Sequence, residues 1–290
     1  MDINEQAQLA WDIIETTNTN LFLTGKAGTG KTTFLRRLKE ESSKRIVVVA
    51  PTGIAAINAE GVTIHSFFQL SFAPFIPDAQ YKLKEQQYRF SKQKIRVIQS
   101  IDTLVIDEIS MVRADLLDAV DSVLRRFRKN QLPFGGVQMV MIGDLGQLAP
   151  VAKDDEWQML SRYYDTPYFF SSIALKSTRY AIVELKTVYR QSDSHFVELL
   201  NRVRDNRADD KVLAALNSRY IPNFQPRVEE GYIRLTTHNY QAQQENERQL
   251  ALLPGKPYTY EASISGKYPE MLFPTEQILT LKEGAQVMFV

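Results

Sequence analysis

Hydrophobic positions along the chain fall in short runs, and the spacing inside the runs switches between two periods. An amphipathic helical pattern covers residues 5 to 16. "NLFLTG" at 20 to 25 reads as a short buried strand ending in a glycine turn. In "KTTFLRRLKE", Phe34, Leu35 and Leu38 share one helical face. "RIVVVA" at 45 to 50 is a β-branched strand, and "PTGIAAINA" is a turn leading into a short helix. "DTLVIDE" is a buried strand that meets carboxylates at its end. A helix is expected near 112 to 129, then the strand "VQMVMIG" at 137 to 143. Strands alternating with helices predict an α/β fold with a parallel sheet in three layers.

Residues 71 to 96 break that rhythm with Pro74, Pro77, several aromatics and a basic run, so they read as a small insertion. A second unit is expected to begin near Ser171, which divides the chain into 1–170 and 171–290. Its elements would be the strand "YAIVEL" at 180 to 185, the helix "DSHFVELLNRVRDN", and a strand-helix pair in "YIRLTTHNYQAQQENERQL". The last residues, "LKEGAQVMFV", look like a strand still inside a fold, so this second domain reads as incomplete.

With 44 % apolar and 24 % charged residues, the composition is that of a globular chain rather than a disordered one. There is no cysteine, which excludes disulfides and thiolate metal sites. No basic, apolar leader opens the chain, and no run approaches the roughly 20 apolar residues that span a bilayer. Net charge is +1 and decides nothing, but "YKLKEQQYRFSKQKIR" at 81 to 96 concentrates six basic residues against one acid.

Chemistry enters at "GKAGTGKT", residues 25 to 32, which satisfies G-x-x-x-x-G-K-T between a strand and a helix. Gly25, Gly28, Thr29, Gly30, Lys31, Thr32 and Thr33 form the expected phosphate cradle. Lys31 would reach the β- and γ-phosphates, and Thr32 would offer a hydroxyl to Mg²⁺. In "LVIDE", Asp107 would hold the metal and Glu108 would activate the attacking water. "GDLGQLAP" places Asp144 and Gln147 at another strand end, the usual ligand edge of such a sheet. No N/T-K-x-D base-reading motif occurs, so ATP is preferred to GTP. A small-molecule kinase and an ATPase switch acting on a protein partner fit the same loop.

Three stretches point to single-stranded nucleic acid. Pro51, Thr52 and Gly53 form a turn able to donate to a backbone phosphate. "GVTIHSFF" mixes Thr63, His65 and Ser66 with Phe67 and Phe68, so that a base could stack unless the phenylalanines are core. The basic insertion is the third. In "LKTVYRQSD", Arg190 follows a strand and could neutralise charge on the γ-phosphate.

Taken in order, GKAGTGKT, APTGIAA, TIHSFF, VIDEISM, GDLGQL and VYRQSD resemble a superfamily 1B DNA helicase of the Pif (petite integration frequency) family, with RecD-type enzymes as relatives. The resemblance implies RecA-like domains and ATP-driven, Mg²⁺-dependent 5′-to-3′ movement on single-stranded or forked DNA. The missing leader and bilayer span point to the cytoplasm, or to the nucleoid in a bacterium, and a monomer is expected. Gln8, with Gln6 as the neighbouring alternative, resembles the adenine-reading glutamine, and Arg190 the arginine finger. Residues 71–96 resemble a 1B wedge, "VELKTVYRQSDSHFVELLNRVR" a family signature, and Thr237, His238 and Asn239 a stretch that approaches DNA or the cleft. Two departures stand out. "QLAP" has Ala149 where the family usually has a first proline, and the family's last motifs do not follow "LKEGAQVMFV". The expectation is therefore that these residues alone do not unwind a duplex.

Overall fold

The computed structural model describes residues 4–77, 90–189, 193–227, 230–264 and 275–287. Its chain divides into two units, Met1–Leu213 and Ala214–Val290. In the first unit, strands β1 (Asn20–Gly25), β2 (Ile46–Ala50), β3 (Val62–Thr63), β4 (Thr103–Ile106), β5 (Gln138–Gly143) and β6 (Tyr180–Leu185) form one sheet in the order β3-β2-β4-β5-β1-β6. All five pairings are parallel.

Alternation along these strands feeds two cores. Phe22, Leu104, Ile106, Met139 and Met141 point to one face, where they meet Phe67, Phe68, Ile98, Leu117, Leu124 and Phe169. Leu21, Leu23, Val105, Val140, Ile142 and Val183 point to the other face, against Ala10, Ile14, Phe34, Leu35 and Leu38. Burial on both faces explains why the strands read as continuous apolar runs. Helices α1 (Glu5–Thr16) and α2 (Lys31–Glu41) cover the second face. Asn4 caps α1 by accepting from the N–H groups of Gln6 and Ala7 at 3.1 and 3.2 Å.

The first face is covered by α4 (Ile64–Phe68), α5 (Lys92–Ser100) and α6 (Ala114–Arg128). Helix α3 (Gly53–Asn58) follows β2. Short helices α7 (Asp154–Leu160) and α8 (Ile173–Lys176) lead to β6, and α9 (Ser194–Arg204) and α10 (Asp210–Asn217) follow it.

The expected boundary near Ser171 is corrected by the pairing of β6. Tyr180 through Leu185 align with Asn20 through Gly25, so this strand is the edge of the first sheet. The division falls after Leu213, and α9 belongs to the first unit. The insertion is also narrower than 71–96 at its ends. The Phe75 N–H donates to the Asp115 carboxylate at 3.0 Å, Ile76 packs beside Leu160 and Tyr164, and Phe90 packs against the first core. Residues 78–89, with the first part of the basic run, lie outside the described residues.

The second unit holds α11 (Asn239–Leu252) and an antiparallel pair, β7 (Tyr258–Glu261) with β8 (Ile278–Leu281). Lys282 Nζ ties the end of β8 to the Leu253 carbonyl at 2.9 Å. The helix expected within 232–250 is present, but its strand is not: residues 232–236 join no ladder among the described residues, and Leu235 is 92 % exposed. The closing strand ends at Leu281, residues 282–287 are not strand, and 288–290 lie outside the described residues.

Candidate active site

Because every strand of the first sheet runs the same way, every C-terminal end lies along one edge, where α/β proteins bind ligands. The strand order therefore fixes the order of the candidates. Thr63 ends β3 with His65 and Ser66 just beyond it, and Pro51, Thr52 and Gly53 follow β2 beside it. Asp107 and Glu108 follow β4 in the middle. Asp144 and Gln147 follow β5, and residues 25 to 32 follow β1. Chemistry scattered over more than a hundred residues becomes one row.

The loop after β1 turns under the start of α2. Gly25 has φ +154°, and a Cβ there would lie 2.6 Å from Thr29 Oγ1 and 2.7 Å from the Leu185 carbonyl of β6. Only glycine fits between those two strands. Thr29 is buried and its hydroxyl donates to the Lys26 carbonyl at 2.8 Å, which fixes the loop from within. Thr32 and Thr33 are exposed at the first turn of α2, whose free N–H groups and dipole favour an anion.

Lys31 Nζ donates to the carbonyls of Gly25 and Lys26 at 2.6 and 3.0 Å. Burial depresses its pKa, while Asp144, Glu108 and Asp107 oppose that by attraction and Arg204 adds repulsion. The ammonium thus lies among three carboxylates and a guanidinium.

Asp107 is anchored through its N–H to the Val49 carbonyl at 2.9 Å. Burial raises its pKa to about 6; the negative charge of Glu108 also raises it, and the Glu108 N–H and Lys31 oppose. Glu108 has φ +51°, a left-handed backbone that is uncommon for glutamate.

The residues fit Mg²⁺ as a nucleotide-borne ion. Asp107 is a half-buried carboxyl whose charged form gains from a cation, and the Thr32 hydroxyl is exposed. A cage of three or more protein ligands is not found among the described residues. Magnesium seldom needs one, since phosphates and waters complete its shell.

On the other half of the edge, two hydroxyls cap short helices. Thr52 Oγ1 accepts from the Ala55 N–H and Thr63 Oγ1 from the Ser66 N–H, both at 3.2 Å. The His65 ring stacks on Phe72 with centroids 4.4 Å apart. Phe67 corrects an expectation: it is 6 % exposed and packs in the core with Phe68, and Lys94 Nζ sits 3.6 Å over its ring. In a helix of five residues both aromatics turn inward, so Phe67 offers no face to a base.

Gln8 is half-buried on α1 and donates to Asp12 at 2.8 Å; Gln6 is half-buried a half-turn earlier. Arg190 lies outside the described residues. Thr237, His238 and Asn239 are exposed at the start of α11 in the second unit, with the Thr237 hydroxyl 2.9 Å from His238 Nδ1. Two residues that sequence reasoning missed touch the site. The Tyr189 N–H donates to the Gly28 carbonyl at 2.8 Å, and Arg204 pairs with Asp144. Tyr189 and Arg204 both lie within the stretch "VELKTVYRQSDSHFVELLNRVR", Arg204 as its last residue, but nothing in the local pattern distinguishes either from its neighbours.

Residues 3–213 match the family described as PIF1-like helicase, and the match ends where the first unit ends. The chain belongs to the PIF1-like helicase family. It is 36 % identical over 281 residues to the ATP-dependent DNA helicase PIF1 of Homo sapiens, covering 93 % of this chain and 41 % of that protein. It is 35 % identical over 289 residues to PIF1 of Saccharomyces cerevisiae, covering 93 % and 32 %. Among solved structures, Pif1 helicase from Bacteroides in complex with ADP-AlF3 and ssDNA is 39 % identical with a TM-score of 0.86, over 97 % of this chain and 64 % of that one. A structure of two coordinating Pif1 helicases at forked dsDNA matches with a TM-score of 0.84, 39 % identity and coverage of 97 % and 65 %. The chain thus spans about a third to two fifths of those two curated relatives and just under two thirds of the solved chains. These likenesses carry the expected fold: the six-stranded parallel unit is RecA-like.

Proposed function

We propose that this chain carries the ATP-binding part of a DNA helicase motor, which hydrolyses ATP and couples that reaction to 5′-to-3′ movement on single-stranded DNA. One observation supports this above the rest. Lys31, Asp107, Glu108, Asp144 and Gln147 meet at the ends of three adjacent strands, while the DNA candidates stand at the ends of the next two on the same edge.

In this reading the triphosphate lies on the N–H groups of residues 25 to 32, and Lys31 turns from loop carbonyls to the β- and γ-phosphates. Glu108 holds and deprotonates the attacking water, and Gln147 senses the γ-phosphate. Arg190 is proposed as the finger that neutralises charge during transfer. Mg²⁺ held by Thr32 and Asp107 would screen the phosphate oxygens and polarise the γ-phosphorus. Pro51, Thr52, Gly53, Thr63, His65 and Ser66 grip the DNA backbone, and Thr237, His238 and Asn239 are proposed as separate DNA contacts. Contacts of this kind position without reading sequence, and they weaken as salt rises. The ligand is single-stranded or forked DNA, the acting form is a monomer, and the place of action is the cytoplasm, at the nucleoid in a bacterium. No helix among the described residues is long and apolar enough to cross a membrane.

The test is phosphate release from ATP with and without a single-stranded oligonucleotide, beside Lys31→Ala. DNA-stimulated release that the variant loses supports the motor. A rate indifferent to DNA would favour a switch acting on a protein, and a phosphorylated acceptor in place of free phosphate would favour a kinase.

A further inference from the structure

Arg204 ends helix α9, sixty positions in sequence from Asp144, yet its guanidinium grips that carboxylate with both arms. Nη1 donates to Oδ2 at 2.6 Å and Nη2 reaches Oδ1 at 2.5 Å. The Asp144 side chain is 1 % exposed. Its remaining lone pairs are taken within its own loop. Oδ1 accepts from the Gly146 N–H at 3.0 Å, and Oδ2 accepts from Gln147 Nε2 at 3.1 Å. A carboxylate offers about four acceptor sites, and all four are used here.

This saturation changes what Asp144 can do. Spent on Arg204 and the loop, the carboxylate acts through Gln147 rather than on a ligand. Gly146 completes the clamp: a Cβ there would lie 2.6 Å from Arg204 Nη1 and 2.7 Å from Cζ. Arg204 also acts on Lys31 by charge, which places the bridge within electrostatic reach of the phosphate loop. A bidentate arginine-carboxylate pair fixes both distance and plane, a task that lysine cannot perform equally.

We propose that Arg204 is a positioning residue for ATP hydrolysis: its clamp on Asp144 holds the 144–147 loop in the conformation that presents Gln147 to the γ-phosphate. The inference rests on the proposed ATPase reading and deepens it. Helix α9 becomes the strut of the sensor loop, so loop and helix move together. Arg204 touches no phosphate itself.

The test uses fluorescent mant-ADP with and without aluminium fluoride, which mimics the transferring phosphoryl group, on the full chain. The unsubstituted chain is expected to hold mant-ADP more tightly once aluminium fluoride is added. Arg204→Ala is expected to bind mant-ADP within about threefold of the unsubstituted chain and to lose at least about tenfold of that tightening, while kcat falls in step and KM for ATP stays within about threefold. Arg204→Lys is expected to recover part of both. Gly146→Ala, which keeps both charges and displaces the guanidinium, is expected to reproduce the Arg204→Ala defect, and it serves if Arg204→Ala does not fold. Full tightening in Arg204→Ala or Gly146→Ala overturns the inference and leaves the ATPase reading standing. Loss of mant-ADP affinity in proportion to a lowered melting temperature also overturns it, since that marks a merely structural bridge. An unsubstituted chain that binds no mant-ADP overturns the ATPase reading, and the inference with it.

Discussion

Tyr189 is fastened to the phosphate loop by its backbone, with its N–H donating to the Gly28 carbonyl at 2.8 Å while its ring passes 3.7 Å from where a Cβ on Gly30 would stand. Its hydroxyl accepts from Asn4 Nδ2 at 3.3 Å, so the residue links the start of α1 to the loop. Gly30 has φ +93°, and an L side chain there strains the turn into α2 by about 1–3 kcal/mol. Gly30→Ala is therefore expected to bind mant-ADP about tenfold more weakly, measured by titration, with little change in helix content. Unchanged affinity would show that the loop does not need its left-handed turn to hold phosphate.

Phe67 belongs to packing rather than to DNA. It is 6 % exposed, meets Phe68 edge-on at 4.8 Å and carries Lys94 on its outer face. Phe67→Ala is expected to cost about 3–5 kcal/mol of stability, as buried aromatics do. Urea unfolding reads that loss. Oligonucleotide affinity of the folded fraction should stay within about twofold of the unsubstituted chain, since the ring offers no stacking face. A selective loss of DNA affinity at unchanged stability would return Phe67 to the interface.

The central strands β1, β2, β4 and β5 were legible because their runs are mostly apolar and end in residues that cannot continue them, such as Gly25 or the Asp107–Glu108 pair, whereas the two-residue β3 and the exposed β7 carry no such run. Local pattern could not give pairing. "YAIVEL" reads as a strand wherever it goes, and only its contact with β1, more than 150 residues earlier, puts it in the first unit. The same limit hid Arg204. On α9 it looks like one more solvated cation beside Arg202, and what distinguishes it is a partner sixty residues away. Phe67 was ambiguous for a different reason: in so short a helix, no repeat establishes which side is buried.

His65 makes the first unit sensitive to acid. Burial lowers its pKa below 6.5; the Arg113 guanidinium lowers it further, and Asp115 partly opposes. Arg113 is held there by Asp115 and Glu156 at 2.8 and 2.5 Å. The folded state keeps the ring neutral, and the unfolded chain takes up a proton more readily. The stabilisation is therefore complete above the unfolded value and is lost as pH falls through the lower folded one. Urea midpoints should drop as pH falls below the ordinary histidine range, and His65→Gln should flatten part of that fall. Parallel profiles for the two proteins would remove His65 from the account.

Thr52 serves two purposes that substitutions can separate. Its oxygen accepts from the Ala55 N–H and caps α3, while its own proton remains able to donate beyond the edge of the sheet. Thr52→Ala loses both, and is expected to cost about 1 kcal/mol of stability along with DNA affinity. Thr52→Ser keeps both and should resemble the unsubstituted chain. Thr52→Asp keeps a good cap but sets a negative charge where a DNA phosphate is proposed to lie. It is therefore expected to unfold like the unsubstituted chain, bind mant-ADP normally and bind a labelled single-stranded oligonucleotide at least about tenfold more weakly, by about 1.4 kcal/mol. Fluorescence anisotropy at two salt concentrations reads this. The repulsion should shrink at the higher salt, because ions screen charges at an exposed edge. If Thr52→Asp holds the oligonucleotide as well as Thr52→Ser does, the strand does not pass the end of β2, and the hydroxyl is a helix cap only.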